Sequence, residues 1–331
     1  MTDIKNNENT IESLDKLTVN AMPSKTWYWL GVNDASLTWK TSDENIIADD
    51  DINVEKGQKH EDVFVEYTSV YKEFNQKKVN ISAEEDGEIT VIVPYNEQNN
   101  IRTFININVG KNAKVKLIQI QSVEQNTLYN EIKASCEESG YFELIQAFAG
   151  KGNISSAIKY GDIYSDVKVD LVGDRADFKY DVGYLGQGGN ELDFNIVVNH
   201  MGKNTNCDIK ASGALKESAL KVFRGTIDFK TGSSGSVGAE TETVLMLGDE
   251  VVNKTVPVIL CSEEDVSGTH GATIGELDDE TLFYFESRGI DKTAAENILA
   301  RASIERLNTL IENDSAKEII ENVLKEALGD D

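Results

Sequence analysis

Residues 113–120 read AKVKLIQI and residues 166–172 read DVKVDLV, and in both an apolar side chain returns at almost every second position. A period of two sends alternate side chains to opposite faces, so each stretch predicts a β-strand with one face buried. The same alternation extends outward on both sides: EITVIV (88–93), TFININV (103–109), YFELIQAF (141–148), FNIVVN (194–199) and CDIKAS (207–212) are all rich in Val, Ile, Phe and Tyr. Gly110, Gly140, Gly152, Gly173, Gly186 and Gly202, with Asn and Asp, punctuate these runs at uneven intervals. No amphipathic helical pattern interrupts the region from about 87 to 262, which therefore reads as all-β. Two architectures fit, an antiparallel sandwich and a solenoid in which each short strand is one side of a coil. No consensus motif recurs, so any repeat is structural rather than sequential.

The whole chain has 331 residues, with 58 acidic against 32 basic side chains and a formal net charge of −26. Such a chain repels phosphate backbones and anionic lipid surfaces, which argues against nucleic acid and membrane as partners. No run reaches the ~18 apolar residues that span a bilayer. The opening MTDIKNNENTIESLDK has neither a basic nor an apolar leader character, and a cytoplasmic location is expected. Cys136, Cys207 and Cys261 are odd in number and widely spaced, so they read as reduced thiols and not as a disulfide framework or zinc site.

On either side of the alternating region the pattern changes, which sets expected boundaries: a mixed and helical N-terminal region over 1–80, a β core over 81–266 and a helical region over 267–331. In the first, TIESLDKL (10–17) suggests a short helix capped by Thr10, and SKTWYWLGVNDASLTW (24–39) gathers Trp27, Trp29 and Trp39 as a core plug or docking ridge. DDDINVEKGQKHEDVF (49–64) reads as a charged loop with a solvated His60. In the last region, Asp278 and Asp291 are expected N-caps, Gly289 a helix stop, and Ser315 with Glu318 a capping box. Ile298, Leu299, Ala302 and Leu310 are expected on one buried stripe. About 55 residues of helix are too few to stand alone and should pack on the β region or on a partner.

Chemistry is sparse. There is no G-x-x-x-x-G-K-[ST] loop, no dinucleotide fingerprint and no G-x-S-x-G elbow. GQGGN (186–190) reads as a turn between strands. Carboxylate pairs abound in so acidic a chain and single out nothing. His200 is expected at a strand edge, and Cys136 and Cys207 as inert buried thiols. His270 stands in SGTHGATIG (267–275), a glycine-rich stretch between a strand-like run and a helical one.

Residues 240–290 read ETETVLMLGDEVVNKTVPVILCSEEDVSGTHGATIGELDDETLFYFESRGI. This segment resembles the C-terminal signature of the SufB/SufD family of iron–sulfur cluster assembly proteins, with Gly-Asp, TVP, EEDV, HGATIG, LDDE, LFY and SRGI in family order. VFRGTIDF (222–229) resembles the family's final coil ahead of that signature. The resemblance implies a right-handed parallel β-helix core, mainly β, flanked by an N-terminal mixed or helical segment and C-terminal helices. It implies a non-catalytic scaffold that works with SufC, an ABC-type ATPase that binds the ATP, and with a SufB-like chain or a second copy of itself. It also implies a transient iron–sulfur cluster shared with the partner.

Departures indicate the branch. Val251 stands where SufB-type chains carry a cysteine, and Gly271 follows His270 where those chains have Glu; HGAT is the SufD-like form. Gly268 stands where many SufD-like chains have another cysteine. By this resemblance His270 is the candidate iron or cluster-interface residue, because imidazole suits iron. Leu282, Phe283, Tyr284, Phe285, Arg288 and Gly289 are the candidate SufC-docking residues. The rival reading, a β-helix enzyme acting on acidic polysaccharide, fits poorly with the charge of −26.

Overall fold

A computed structural model describes residues 15–26, 28–39, 46–67, 74–95, 99–124, 126–152 and 161–329. A short antiparallel pair comes first, β1 (Asp15–Val19) with β2 (Ala35–Trp39). Sixteen strands then alternate between two parallel sheets. One sheet holds β3 (Ile46–Val54), β5 (Phe74–Ala83), β7 (Asn100–Val109), β9 (Leu128–Cys136), β11 (Ile163–Leu171), β13 (Glu191–His200), β15 (Leu220–Phe229) and β17 (Val252–Cys261). The other holds β4 (Val63–Phe64), β6 (Glu88–Tyr95), β8 (Lys114–Val123), β10 (Tyr141–Lys151), β12 (Asp177–Gln187), β14 (Asn206–Lys216), β16 (Ser236–Leu247) and β18 (Val266–Glu276). Odd strands pair only with odd and even only with even, which is the connectivity of a β-solenoid and not of a hairpin sandwich.

The parallel register stacks equivalent residues in columns along the interior. One column runs Val63, Val91, Leu117, Leu144, Tyr180, Ile209, Glu240, His270. On the opposite sheet another runs Val79, Ile105, Ile132, Val167, Ile196, Gly225, Pro257. The apolar side chains of these columns from Val63 to Ile209 and from Val79 to Ile196 belong to or pack on one continuous cluster that runs from Val54 to Val244, with stacked Phe142 and Phe178 inside it. Polar side chains within it pair with one another: Asn130, Gln119, Gln121, Gln146, Thr103 and Tyr180 bond across successive coils.

The solenoid begins at Ile46, ahead of the expected boundary at 81, and reaches Glu276, past 266. The segment 49–64, expected as a loop, contributes β3 and β4. Within the expected helix at 10–17, residues 15–17 belong to β1, while Thr10 lies outside the described residues. Both differences have one cause: a neighbouring strand rewards an extended backbone that local charge and propensity do not signal.

The N-terminal segment folds back on the outer face of the odd-strand sheet. Trp39 is fully buried there with Val19, Leu37, Tyr129 and Tyr164, edge-on to Phe74 at 5.1 Å. Asp193 on β13 holds Arg224 on β15 by two bonds of 2.5 and 3.0 Å and accepts from Asn20 Nδ2 at 2.6 Å. Arg224 Nε in turn donates to the Val32 carbonyl. Between these anchors the tip of the segment leaves Trp29 73% exposed. Of the three tryptophans, then, Trp39 is a plug and Trp29 is not, and Trp27 lies outside the described residues.

The chain closes with α1 (Asp279–Glu286), α2 (Lys292–Glu305) and α3 (Asp314–Leu328). Asp278 and Asp291 cap α1 and α2 as expected, accepting from Thr281 N at 2.6 Å and Ala294 N at 2.9 Å. Gly289 takes φ 80° at the end of α1. The cap of α3 is Asn313, not Ser315, because the Asn313 side chain reaches Ala316 N at 3.0 Å. Nor is the expected α2 stripe the buried one: Ile298 and Ala302 are exposed, Ala295 is buried, and Ala300 and Ile304 face the solenoid. Small residues win that face because α2 lies so close to β12 that a Cβ on Gly183 would stand 3.1 Å from Ile304 Cα. With α3, this face seals Ile118, Ile120, Ile145 and Leu185 on the outside of the even-strand sheet.

Because Arg224 is buried, removing its carboxylate leaves a charge with no solvent to compensate it. Asp193→Ala should lower stability by ~3–5 kcal/mol in denaturant unfolding and loosen the N-terminal segment, read as a red shift of tryptophan emission. Unchanged stability would show that the pair does not pin the segment.

Candidate functional site

The two ends of the solenoid differ. At the first end β4 is only two residues long, and the nine-residue β3 carries Asp49, Asp50 and Asp51; shortness in the one and charge in the other discourage pairing. At the last end β17 and β18 run for ten and eleven residues, and each has a neighbour on one side only. Nearly all of β18 is exposed. The inner surface of the solenoid is thus open here, and its floor is the coil of β15 and β16.

His270 lies inside β18, not in a turn before the helix as its glycine neighbours suggested. Gly is common in turns, but here the pairing with β16 holds the stretch as a strand. In register, His270 stacks on Glu240, and inward-facing Val266 packs on the core two positions beyond Gly268. The imidazole therefore stands on the inner face of the last coil, exposed at the opening.

Beneath it is a buried charged cluster. Lys221 and Glu242, both fully buried, form an ion pair. Thr255 Oγ1 donates to Glu242 at 2.6 Å and Tyr184 Oη at 3.2 Å. Burial holds the Lys221 ammonium below its ordinary pKa, against the pull of Glu242. Glu240 is 4% exposed and is pushed up to about 7, first by burial and then by the Glu242 charge, with Lys221 pulling the other way. Its carboxylate occupies space over Gly225, where a Cβ would collide with both oxygens.

The remaining sequence candidates fall elsewhere. Phe283 is 70% exposed and Tyr284 also stands out from α1, with Arg288 stacked 3.6 Å above the Tyr284 ring. Leu282 and Phe285 are half-buried, Gly289 is exposed, and α1 has no buried residue. This helix follows β18 directly, so both candidate surfaces share one end of the molecule. His200 is not at an exposed edge. It is buried against Phe229, bonded to Thr205 Oγ1 at 2.7 Å and Cys207 Sγ at 3.3 Å, and burial lowers its pKa to about 4. Burial pushes the Cys136 and Cys207 thiols well up, so both are inert. Cys261 is exposed on β17 and bonded to the Glu263 carbonyl at 2.9 Å. Among the described residues no three His, Cys, Asp or Glu side chains converge as a complete metal site.

Residues 66–303 match the family described as SUF system FeS cluster assembly, SufBD core domain. The chain belongs to the SufB/SufD family. Within it the chain is SufD-like: it is 31% identical over 139 residues to the iron–sulfur cluster assembly protein SufD of Bacillus subtilis, covering 42% of this chain and 32% of that one. It is 31% identical over 97 residues to SufD of Escherichia coli, covering 29% and 23%. A SufBD family protein of Mycobacterium tuberculosis is 25% identical over 206 residues, covering 61% and 23%. The matched stretch spans a third or less of the length of these relatives. The SufB/SufD signature does not follow the last coil, as the reading of residues 222–229 supposed; it builds that coil as β17 and β18.

Sequence reasoning missed Lys221, Gly225, Glu240 and Glu242. The signal was present in strand parity: in VGAETETV, Gly238, Glu240, Glu242 and Val244 share the phase of the core, and Thr241 and Thr243 face out.

Glu240 binds its proton more tightly in the folded protein than its ordinary value of 4.5 allows. The folded state is therefore destabilised as pH rises from about 4.5 through about 7, on the order of 3 kcal/mol in full. In chelator-treated buffer, Glu240→Gln should remove this dependence and be the more stable chain at pH 8. Parallel pH profiles for the two proteins would contradict the assignment.

Proposed function

We propose that this chain is a non-catalytic, SufD-like scaffold that docks end-on through β17 and β18 to a cysteine-bearing SufB-like chain and works with a SufC-type ATPase. One observation carries the reading: the only long, unguarded sheet edges among the described residues lie at the end that displays His270. Exposed strand edges are templates for another strand, and docking there would enclose the histidine between two solenoids. An imidazole that belongs to no group of three metal-ligating side chains among the described residues suits a site completed by another chain. Iron and sulfide are then cargo, held transiently as a cluster shared with the partner.

In this reading the three regions divide the work. The N-terminal segment braces the solenoid, the β core carries the docking edge, and α1 presents Leu282, Phe283, Tyr284, Phe285, Arg288 and Gly289 to SufC. The ATP is bound by SufC, since no phosphate loop is found in this sequence. The acidic surface and unpaired cysteines suit a cytoplasmic setting. Pairing with a second copy is the other outcome that the same edge permits.

Two measurements test the proposal. Phe283→Ala with Tyr284→Ala should weaken capture of a SufC-type ATPase at least tenfold with an unchanged melting temperature, because neither ring is buried in the fold. Capture at full strength would move the ATPase elsewhere. In anaerobic reconstitution with a SufB-like partner, His270→Ala should abolish most visible cluster absorption, with partner binding and melting retained. His60→Ala is the control, exposed and far in sequence from the site. His200→Ala is unsuitable because it opens a buried site.

A further inference from the structure

The N-terminal segment climbs the stack toward its open end. Asn20 is held by Asp193 on β13, the Val32 carbonyl accepts from Arg224 on β15, and the Leu30 carbonyl accepts from Lys254 Nζ on β17 at 3.3 Å. These three anchors lie on successive strands of the odd-strand sheet, and the third is its last edge. The tip of the segment, a single 3₁₀ turn over Tyr28–Leu30, is therefore set against the outer face at the level of β17. There it shows three apolar side chains in a row: Tyr28 is 90% exposed, Trp29 73% and Leu30 41%.

The turn is built to stay in place. Asn33 closes its base, with Oδ1 accepting from Thr26 N at 2.6 Å and Nδ2 donating to the Thr26 carbonyl at 3.3 Å. The Asn33 carbonyl accepts from Met22 N at 2.9 Å, and Gly31 N returns to the Tyr28 carbonyl at 3.2 Å with a φ of 60° that suits glycine. Met22, Val32, Leu37 and Trp39 of the same segment are buried, so the ridge is the apolar part that the fold itself leaves outside. Exposed aromatic rings on an ordered backbone are the features of an interface anchor. Each ring buries on the order of 150–250 Å² when covered, and little further ordering opposes it.

Position and charge together say what covers the ridge. A chain docked on the edge of β17 meets it beside that edge. A second copy fits badly, because both corners of this end are acidic: Asp249 and Glu250 precede β17, and Glu263, Glu264 and Asp265 lie between β17 and β18. Lys254 is the one Lys or Arg from 248 to 280, and its ammonium is turned to Leu30. Two such ends face to face set carboxylates against carboxylates whichever way round they meet. We infer that Tyr28, Trp29 and Leu30 form an aromatic anchor for the unlike chain that docks on β17. The anchor fits an apolar recess beside that chain's own edge strand, flanked by basic residues that meet the acidic corners. The inference rests on the end-on docking reading and adds to it a side-chain contact that strand edges alone do not supply.

The test is the affinity of the full chain for a cysteine-bearing SufB-like partner, measured by titration calorimetry at low and high salt. The double variant Tyr28→Ala, Trp29→Ala should bind at least tenfold more weakly with an unchanged melting temperature, because neither ring is buried in the fold. Phe64→Ala, which removes an exposed ring at the opposite end, should bind as the parent does. Added salt should weaken the parent and the double variant alike and preserve the ratio between them, since the corners are charged and the anchor is apolar. A parent affinity that ignores salt overturns the basic flanks. Equal affinities of the double variant and the parent overturn the anchor, and if β17 and β18 are still protected from amide exchange in that complex, the end-on reading stands without it. A complex that leaves β17 and β18 unprotected overturns the end-on reading and the inference with it. Self-association of the chain alone, abolished in the double variant, overturns the choice of an unlike partner.

Discussion

A coil of parallel strands satisfies its backbone and buries its inner side chains only against the coil above and the coil below. Every other feature of this molecule follows from that constraint. Inner positions must be filled coil after coil, which is why Leu117, Leu144, Tyr180 and Ile209 stand in line. Outer faces must be covered, which is the work of Trp39 on one sheet and of Ile304, Leu307 and Ile320 on the other. An end must either be blunted or be used. The first edge is blunted, by shortness in β4 and by acidic residues in β3, and the long last edge carries the residues of interest.

Three buried carboxylates show how charge is managed in this frame. Asp193 is matched by the guanidinium of Arg224 and the amide of Asn20, and the set ties the N-terminal segment to the sheet. Glu242 is matched by Lys221, Thr255 and Tyr184, and the set closes the interior near the opening. Glu240 is matched by nothing of its own, although a glycine has been placed to admit it. Burying a charge without a partner is unfavourable by several kcal/mol, and Glu240 accordingly holds its proton up to about 7.

Much of the fold was legible in the sequence. Period-two alternation located most strands from 88 onward, and the helix caps Asp278 and Asp291 announced themselves by residue type. Alternation could not separate a sandwich from a solenoid, because both bury one face of each strand; the family resemblance decided that, and the parallel register agrees. The misreadings share a cause. Strand β3, the strand that holds His270 and the alanine face of α2 are all fixed by a neighbour in space: β5, β16 and Gly183. His200 looked like an edge residue because its strand ends there, but the coil beyond covers it with Phe229. Of the candidate site, His270 was visible through its motif. Glu240 was hidden among 58 acidic residues until the register aligned it with a column of apolar ones.

The central claim, that the last coil is a docking edge, is tested most directly by amide hydrogen exchange resolved to individual strands. In the isolated chain, amides of β17 and β18 should exchange far faster than those of β12 and β13 in the middle of the stack. Adding a cysteine-bearing SufB-like partner should slow them markedly and leave β3 and β4 at the opposite end unchanged. If β17 and β18 keep the same exchange rates with and without the partner while the complex forms, the partner docks elsewhere and the account is wrong.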